Sequence, residues 1–329
     1  MKRLLLLAPV TAALMTACPA STPIPLPVTL ASLTLSGVSG PLLIDNSAKL
    51  TVTATGSDGQ TFAGTPIFTS SDANAVFVAA DGTVMARHLS STPVVITASL
   101  GAKTATINVA TYGLDATGGT YSSLYKASPS TTNASAFTAA FKDSSGATLT
   151  SGSVSVAGPA AYNSGKAVSF DLSTSLGVSN FVKSVNFSPL VSGSYTASIT
   201  LSGKIYTKTF ILDASKALTP PSGVILTSTA TTYELKGAAP TGAAGGVKAV
   251  LADQSGQFKA ESAWSQTLPS GGNWNTPVVS GTYAALVISS STLLSQTTSF
   301  PDQLNLSDYQ TDNQVVPQSD REISLVLAH

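Results

Sequence analysis

The sequence has one cysteine, two histidines and two tryptophans, and only 10% of its residues are charged. Each scarcity excludes something. A single cysteine, Cys18, forbids an intramolecular disulfide, so every core must hold by packing alone. The histidines, His88 and His329, stand in no metal-ligand spacing. Thiol catalysis and transition-metal chemistry therefore lack their usual residues. Basic and acidic residues balance at 16 each, which leaves no basic field for nucleic acid. There is no P-loop, no dinucleotide glycine fingerprint and no HExxH motif. Long apolar runs are scarce as well. The longest, near residues 4–15, is too short to span a bilayer as a mature helix.

That run has a specific setting. Lys2 and Arg3 precede it, and the small residues Thr16 and Ala17 follow it, leading to Cys18. A charged start, a short apolar core and a small-residue exit describe a secretory signal peptide. The ending Leu14-Met15-Thr16-Ala17-Cys18 resembles the lipobox of bacterial lipoproteins. The resemblance implies cleavage before Cys18, lipidation of its thiol, and anchoring to a membrane without a transmembrane helix. Pro19 is not the aspartate that resembles an inner-membrane retention signal, so the outer membrane or the cell surface is expected. Removing Lys2 and Arg3 leaves a side-chain charge of −2. Residues 18–29 are Pro-, Ser- and Thr-rich and uncharged, a tether that reaches roughly 40 Å at about 3.3 Å per residue.

What is abundant is Ser, Thr, Ala, Gly and Val, a composition that favours strands. Hydrophobic residues at 43% are enough for packed cores. From Leu30 onward, short alternating segments are broken by Gly, Asn, Asp and Ser turns, the pattern of β-sandwiches. Leu33 and Leu35 alternate with polar neighbours, as do Leu50 and Val52. Then come Ile67-Phe68-Thr69-Ser70-Ser71-Asp72, Ala75-Val76-Phe77-Val78, Asp81-Gly82-Thr83-Val84-Met85-Ala86 and Val95-Ile96-Thr97-Ala98. This order resembles a bacterial immunoglobulin-like group 2 domain, the family of invasin- and intimin-type surface proteins. Phe68 stands where that family usually has tryptophan, and Asp72 where it has asparagine. The resemblance covers residues 30–112 and implies a spacer or adhesin module.

A second unit is expected over 113–214, with alternation at Phe137, Ala139 and Phe141, and again at Val168, Phe170 and Leu172. Its segment Pro189-Leu190-Val191-Ser192-Gly193-Ser194-Tyr195 matches Pro277-Val278-Val279-Ser280-Gly281-Thr282-Tyr283 of a third unit over 224–329. Tyr195 and Tyr283 read as tyrosines of the tyrosine-corner sort. Residues 215–223, rich in Pro, read as a linker. The fold class is thus all-β, with tandem immunoglobulin-like sandwiches after residues 1–17 of signal peptide.

The candidate chemistry is sparse, and no enzyme activity is expected. His88 reads as a surface loop residue. Asp302, Asp308, Asp312, Asp320 and Glu322, with Asn305 and Asn313, offer oxygen ligands for calcium around 302–312, but without EF-hand order. Glu234, Asp253 and Glu261 would supply carboxylates for glycoside hydrolysis, the weakest of the readings. Trp264 and Trp274 flank Ser270-Gly271-Gly272-Asn273 and either pack or stack on sugar rings. The chain accordingly reads as a non-catalytic envelope lipoprotein for adhesion, binding or spacing. The alternative is a carbohydrate- or cell-wall-binding module on the two tryptophans. Expected partners are the membrane, through lipid, and a glycan or protein at the surface. No cofactor is implied, and the oligomeric state is open.

Overall fold

A computed structural model describes residues 27–125, 128–172, 184–186, 188–228, 233–238, 242–253, 258–261, 281–290, 301–310 and 314–316. These residues form an all-β molecule. Among them, no helix is long and apolar enough to cross a membrane.

The first unit holds β1 (Leu30–Ser36), β2 (Leu42–Leu43), β3 (Ser47–Lys49), β4 (Thr51–Gly56), β5 (Ile67–Ser70), β6 (Val76–Val78), β7 (Thr83–Ala86), β8 (Val94–Leu100) and β9 (Lys103–Val109). Two three-stranded sheets, β3-β7-β6 and β5-β8-β9, accompany the antiparallel pair β1-β4. Their inward residues, Leu50, Val76, Val84, Val94, Ile96 and Val109, close one core, against which Leu35 and Phe68 pack. The turns follow from their residues. The Asp72 carboxylate accepts from the backbone N–H of Asn74 at 3.1 Å and of Ala75 at 3.0 Å, which reverses the chain ahead of β6. Gly82 has φ +83°, and a Cβ there would meet the Phe68 ring at 3.0 Å, so the turn needs glycine for both its conformation and its space.

The second unit opens with β10 (Thr111–Tyr125) and β11 (Ser128–Lys142), each 15 residues long. It continues with β12 (Ser153–Ala157), β13 (Val168–Asp171), β14 (Ser184–Asn186), β15 (Gly193–Leu201) and β16 (Lys204–Leu212). The sheet β13-β12-β15-β16 lies over β10 and β11. Between them sits a core of Leu114, Phe137, Phe141, Val154, Val156, Phe170, Ile199 and Leu212 with the rings of Tyr162, Tyr195 and Phe210. The Tyr195 ring lies 5.2 Å from that of Tyr162 and stacks 6.1 Å from that of Phe210. Its hydroxyl donates to the Val191 carbonyl at 2.8 Å and accepts from the Val191 N–H at 3.2 Å. This is the corner tyrosine that the sequence suggested, and burial pushes its phenol up to about 12.

The remaining strands are β17 (Ser222–Ser228), β18 (Tyr233–Ala238), β19 (Gly246–Asp253), β20 (Phe258–Glu261), β21 (Gly281–Ser290), β22 (Leu306–Gln310) and β23 (Gln314–Val316). β17 and β18 pair with each other. The rest join a nine-stranded sheet ordered β14-β11-β10-β22-β21-β19-β20, with β2 on β10 and β23 on β21. That sheet draws strands from both sides of 215–223. β10 is its organiser. It pairs in parallel with β2 at Thr111 and Tyr112, antiparallel with β11 along most of its length, and in parallel with β22 from Tyr121 to Tyr125. One strand therefore pairs with strands from 30–112, 113–214 and 224–329.

Candidate functional site

Among the described residues, a dense polar arrangement lies where the segment after β7 meets β10. The chain leaves Ala86, and the N–H groups of Arg87 and His88 both point to the Ala75 carbonyl, at 2.8 and 3.2 Å. This turn carries the His88 ring into the junction, where it is 4% exposed. The sequence reading placed His88 on a surface loop, and the structure corrects this. The ring is buried because β10 presents Asp115, itself fully buried, directly to it.

His88 Nδ1 lies 3.0 Å from Asp115 Oδ1, and Nε2 lies 3.1 Å from Asp302 Oδ1. Ionised carboxylates only accept, so two such contacts call for a proton on both ring nitrogens. Burial is the largest influence on this ring and disfavours its charge, but the Asp115 carboxylate and the two hydrogen bonds outweigh it. The imidazole is raised from its usual 6.5 to about 9. Its hydrogen bond in turn holds the Asp302 carboxyl below the usual range. The second oxygen of Asp115 accepts from the Leu89 N–H at 2.7 Å, and the Asp302 carbonyl accepts from the Thr117 hydroxyl at 3.3 Å.

Two lysines complete the junction. Lys208, on β16, donates to Asp45 Oδ1 and to the Arg87 carbonyl, both at 2.7 Å. Lys142, on β11, donates to the Ser90 carbonyl, and burial lowers its ammonium. The segment 87–90 is thus held by side chains of β10, β11 and β16 and by Asp302. Beside it opens a cleft of about 420 Å³ lined by Arg87, His88, Lys208, Thr209, Phe210, Ile211 and Asp302. The Arg87 guanidinium sits 4.4 Å over the Phe77 ring. Both nitrogens of His88 are engaged by carboxylates, so the ring offers no free lone pair. The arrangement is built to hold three parts of the chain together.

The sequence-suggested residues fall elsewhere. Cys18, Trp264 and Trp274 lie outside the described residues, as do Asp312, Asp320 and Glu322. Asp302 binds His88, and the Asn305 side-chain oxygen accepts from the Thr120 N–H at 3.2 Å and from Gln303 Nε2 at 2.7 Å. Asp308 pairs through its backbone with Ser123 and Ile288. Among the described residues, no group of three or more His, Cys, Asp or Glu is arranged to hold a metal. Glu234 lies on β18, in the β17–β18 pair, whereas Asp253 and Glu261 lie on neighbouring strands of the large sheet. Tyr283 stands near the start of β21, with its backbone opposite Asp253 and Gln314. Sequence reasoning missed Asp115. The available signal was a carboxylate inside the otherwise uncharged strand Gly113-Leu114-Asp115-Ala116-Thr117, in a chain where charge is rare.

No family model and no curated protein matches the chain. Solved structures that it resembles include domains 5–6 of the S-layer protein SbsC, at 16% identity and TM-score 0.25 over 56% of this chain and 98% of that one. A six-domain SbsC structure aligns at 16% identity and TM-score 0.23 over 90% of this chain, which spans 42% of that protein's length. The Escherichia coli adhesin FdeC aligns at 12% identity and TM-score 0.23 over 93% of this chain and 99% of that one. Scores of this size do not define a shared fold, and the fold described above rests on the strand pairing itself.

Proposed function

We propose that this chain is a membrane-anchored lipoprotein of the bacterial cell envelope that presents tandem immunoglobulin-like units for adhesion, binding or spacing. The anchor is a lipid on Cys18, and residues 18–29 form the tether. The first unit is a group 2-type spacer, and the later units carry any face for a glycan or protein at the surface. The observation that carries this reading is β10, which pairs with strands of all three units, with the His88 clamp reinforcing it at one end. A spacer must transmit position from its anchor to its tip, and units tied by a shared strand and a partly buried ion cluster resist hinging more than units joined by a loose linker.

The test is protease shaving of intact cells that express either the wild-type chain or Cys18→Ala. Cleavage of the wild type on whole cells, with release of the mutant or its retention as precursor, supports a surface lipoprotein. Protection of the wild type until the envelope is opened would place the units in the periplasm and sink the adhesion role. An envelope scaffold would then be the better reading.

A further inference from the structure

β16 is the last strand of its sheet and pairs only with β15 among the described residues. Its connection to β15 is a two-residue hairpin in which Ser202 has φ +50° and Gly203 φ +79°, both left-handed. In such a hairpin the flanking residues, Leu201 and Lys204, form the hydrogen-bonded pair, and the pattern then alternates. Lys204, Tyr206, Lys208, Phe210 and Leu212 consequently direct their backbone groups toward β15. Ile205, Thr207, Thr209 and Ile211 direct theirs to the open edge. The same four side chains are exposed on the outer face, with Ile205 at 65% and Ile211 at 76%. The cleft beside the edge is lined by 208, 209, 210 and 211 in succession. Residues from both faces of a strand line one cleft when the cleft runs along the strand's edge.

The sequence of this edge is self-complementary. It reads Ile205-Tyr206-Thr207-Lys208-Thr209-Phe210-Ile211, the same in both directions apart from the exchange of one aromatic for another. We propose that β16 pairs antiparallel with β16 of a second copy of this chain, about a two-fold axis through Lys208. This register sets Ile205 opposite Ile211 of the other copy, Thr207 opposite Thr209, and Tyr206 opposite Phe210. Every residue that offers backbone groups to the open edge then meets another that does so. The two most exposed apolar residues of β16 cover each other, as an isologous interface requires. At each end, Lys204 of one copy comes level with Leu212 and the half-buried Asp213 of the other, so the charges are complementary. Lys208 points inward, and an inward charge ordinarily blocks edge pairing. Here its ammonium is bound to Asp45 and the Arg87 carbonyl, so the two axial lysines meet already neutralised.

The contact is small. Seven residues span about 23 Å at about 3.3 Å each, and a strip of that length falls short of the roughly 1,200 Å² of a stable interface. The pairing is therefore weak in free solution and gains strength where many copies are confined together, since confinement raises the effective concentration. This deepens the adhesion reading by naming the ligand as another copy. Shaving reports location and the experiment below reports pairing, so either can fail while the other stands.

The experiment uses the full-length chain carrying Cys18→Ala, which removes the only native thiol. One preparation also carries Thr207→Cys and a second Thr209→Cys. Mixed at about 100 μM under mild oxidation, they should cross-link several-fold faster than either alone. Opposite positions fall within disulfide reach, whereas 207 to 207 and 209 to 209 are diagonal neighbours about 7–8 Å apart. Adding Ile211→Lys to both should bring the mixed rate down to that of the single preparations, with the far-ultraviolet circular dichroism unchanged. Sedimentation equilibrium of the Cys18→Ala chain needs no change in the strand. It should show a concentration-dependent dimer that Ile211→Lys or Thr207→Pro abolishes. A monomer at every concentration overturns the proposal. So does a dimer indifferent to Ile211→Lys, or mixed cross-linking no faster than the single rates.

Discussion

Two ion pairs of equal length belong to opposite regimes. Lys49 and Asp81 approach to 2.7 Å on the face of the first unit, with side chains 57% and 63% exposed. Lys208 and Asp45 approach to the same 2.7 Å, but the lysine side chain is 7% exposed and the pair joins the second unit to the first. The first pair decorates a turn that already stands, because Asp81 also accepts from the Thr83 N–H at 2.9 Å and from its hydroxyl at 3.0 Å. The second belongs to a cluster in which His88, Asp115 and Lys208 have left water, while the side chains of Asp45 and Asp302 remain 51% and 82% exposed. Distance does not rank them. Burial and the number of chain segments joined do, because a charge stranded in a dry junction has no solvent to return to.

The comparison breaks most sharply at Asp115. Asp115→Ala strands a buried imidazolium and the Leu89 N–H together and should cost about 3–5 kcal/mol in urea unfolding. In the same variant, NMR titration should find His88 losing its proton well below 9, since burial would then act with little to oppose it. A loss no larger than that of an exposed substitution would mean that the junction does not bear on stability.

The next effect is on pH. His88 is raised when folded, so its contribution is fully present below about 6.5 and is lost as pH climbs to about 9. The rise from 6.5 to about 9 corresponds to roughly 3 kcal/mol across that window. Unfolding free energy measured from pH 6 to 10 should fall accordingly in the wild type and stay nearly flat in His88→Gln. A flat wild-type profile would refute the charged clamp.

Smaller still, Tyr195→Phe keeps the ring and removes both bonds to Val191, and should cost about 1–2 kcal/mol by thermal or urea unfolding. At the far end, Asp81→Asn should be indistinguishable from wild type in 0.15 M salt. Its carboxyl is held down to about 2, first by Lys49, yet it stays largely exposed to solvent. A substantial loss there would erase the contrast between the two pairs.

Local chemistry was legible in the sequence, and long-range pairing was not. Asp72, Asp81 and Asp143 each accept from backbone N–H groups two to four residues on, so their turns show in any short window. Tyr195 reaches back only to Val191, and its motif announced it. The alternating strands of the first two cores were readable for the same reason. His88 meets Asp115 at a separation of 27 residues and Asp302 at 214, and no periodicity links them. The parallel pairing of β10 with β22 is likewise invisible, because a parallel neighbour leaves no turn between its strands.

That pairing has a consequence in time. Gly119 lies so close to the chain ahead of β22 that a Cβ would meet the Leu304 carbonyl at 1.9 Å, and Thr120 bonds to Asn305 across 185 residues. A chain that emerges from its N-terminus makes β10 early and β22 late. Until those residues arrive, the far half of β10 has an uncovered flank open to any passing strand. The wait scales with the rate of delivery. Slow synthesis should therefore lower the yield of native protein through aggregation of half-finished chains, even where the completed molecule is stable.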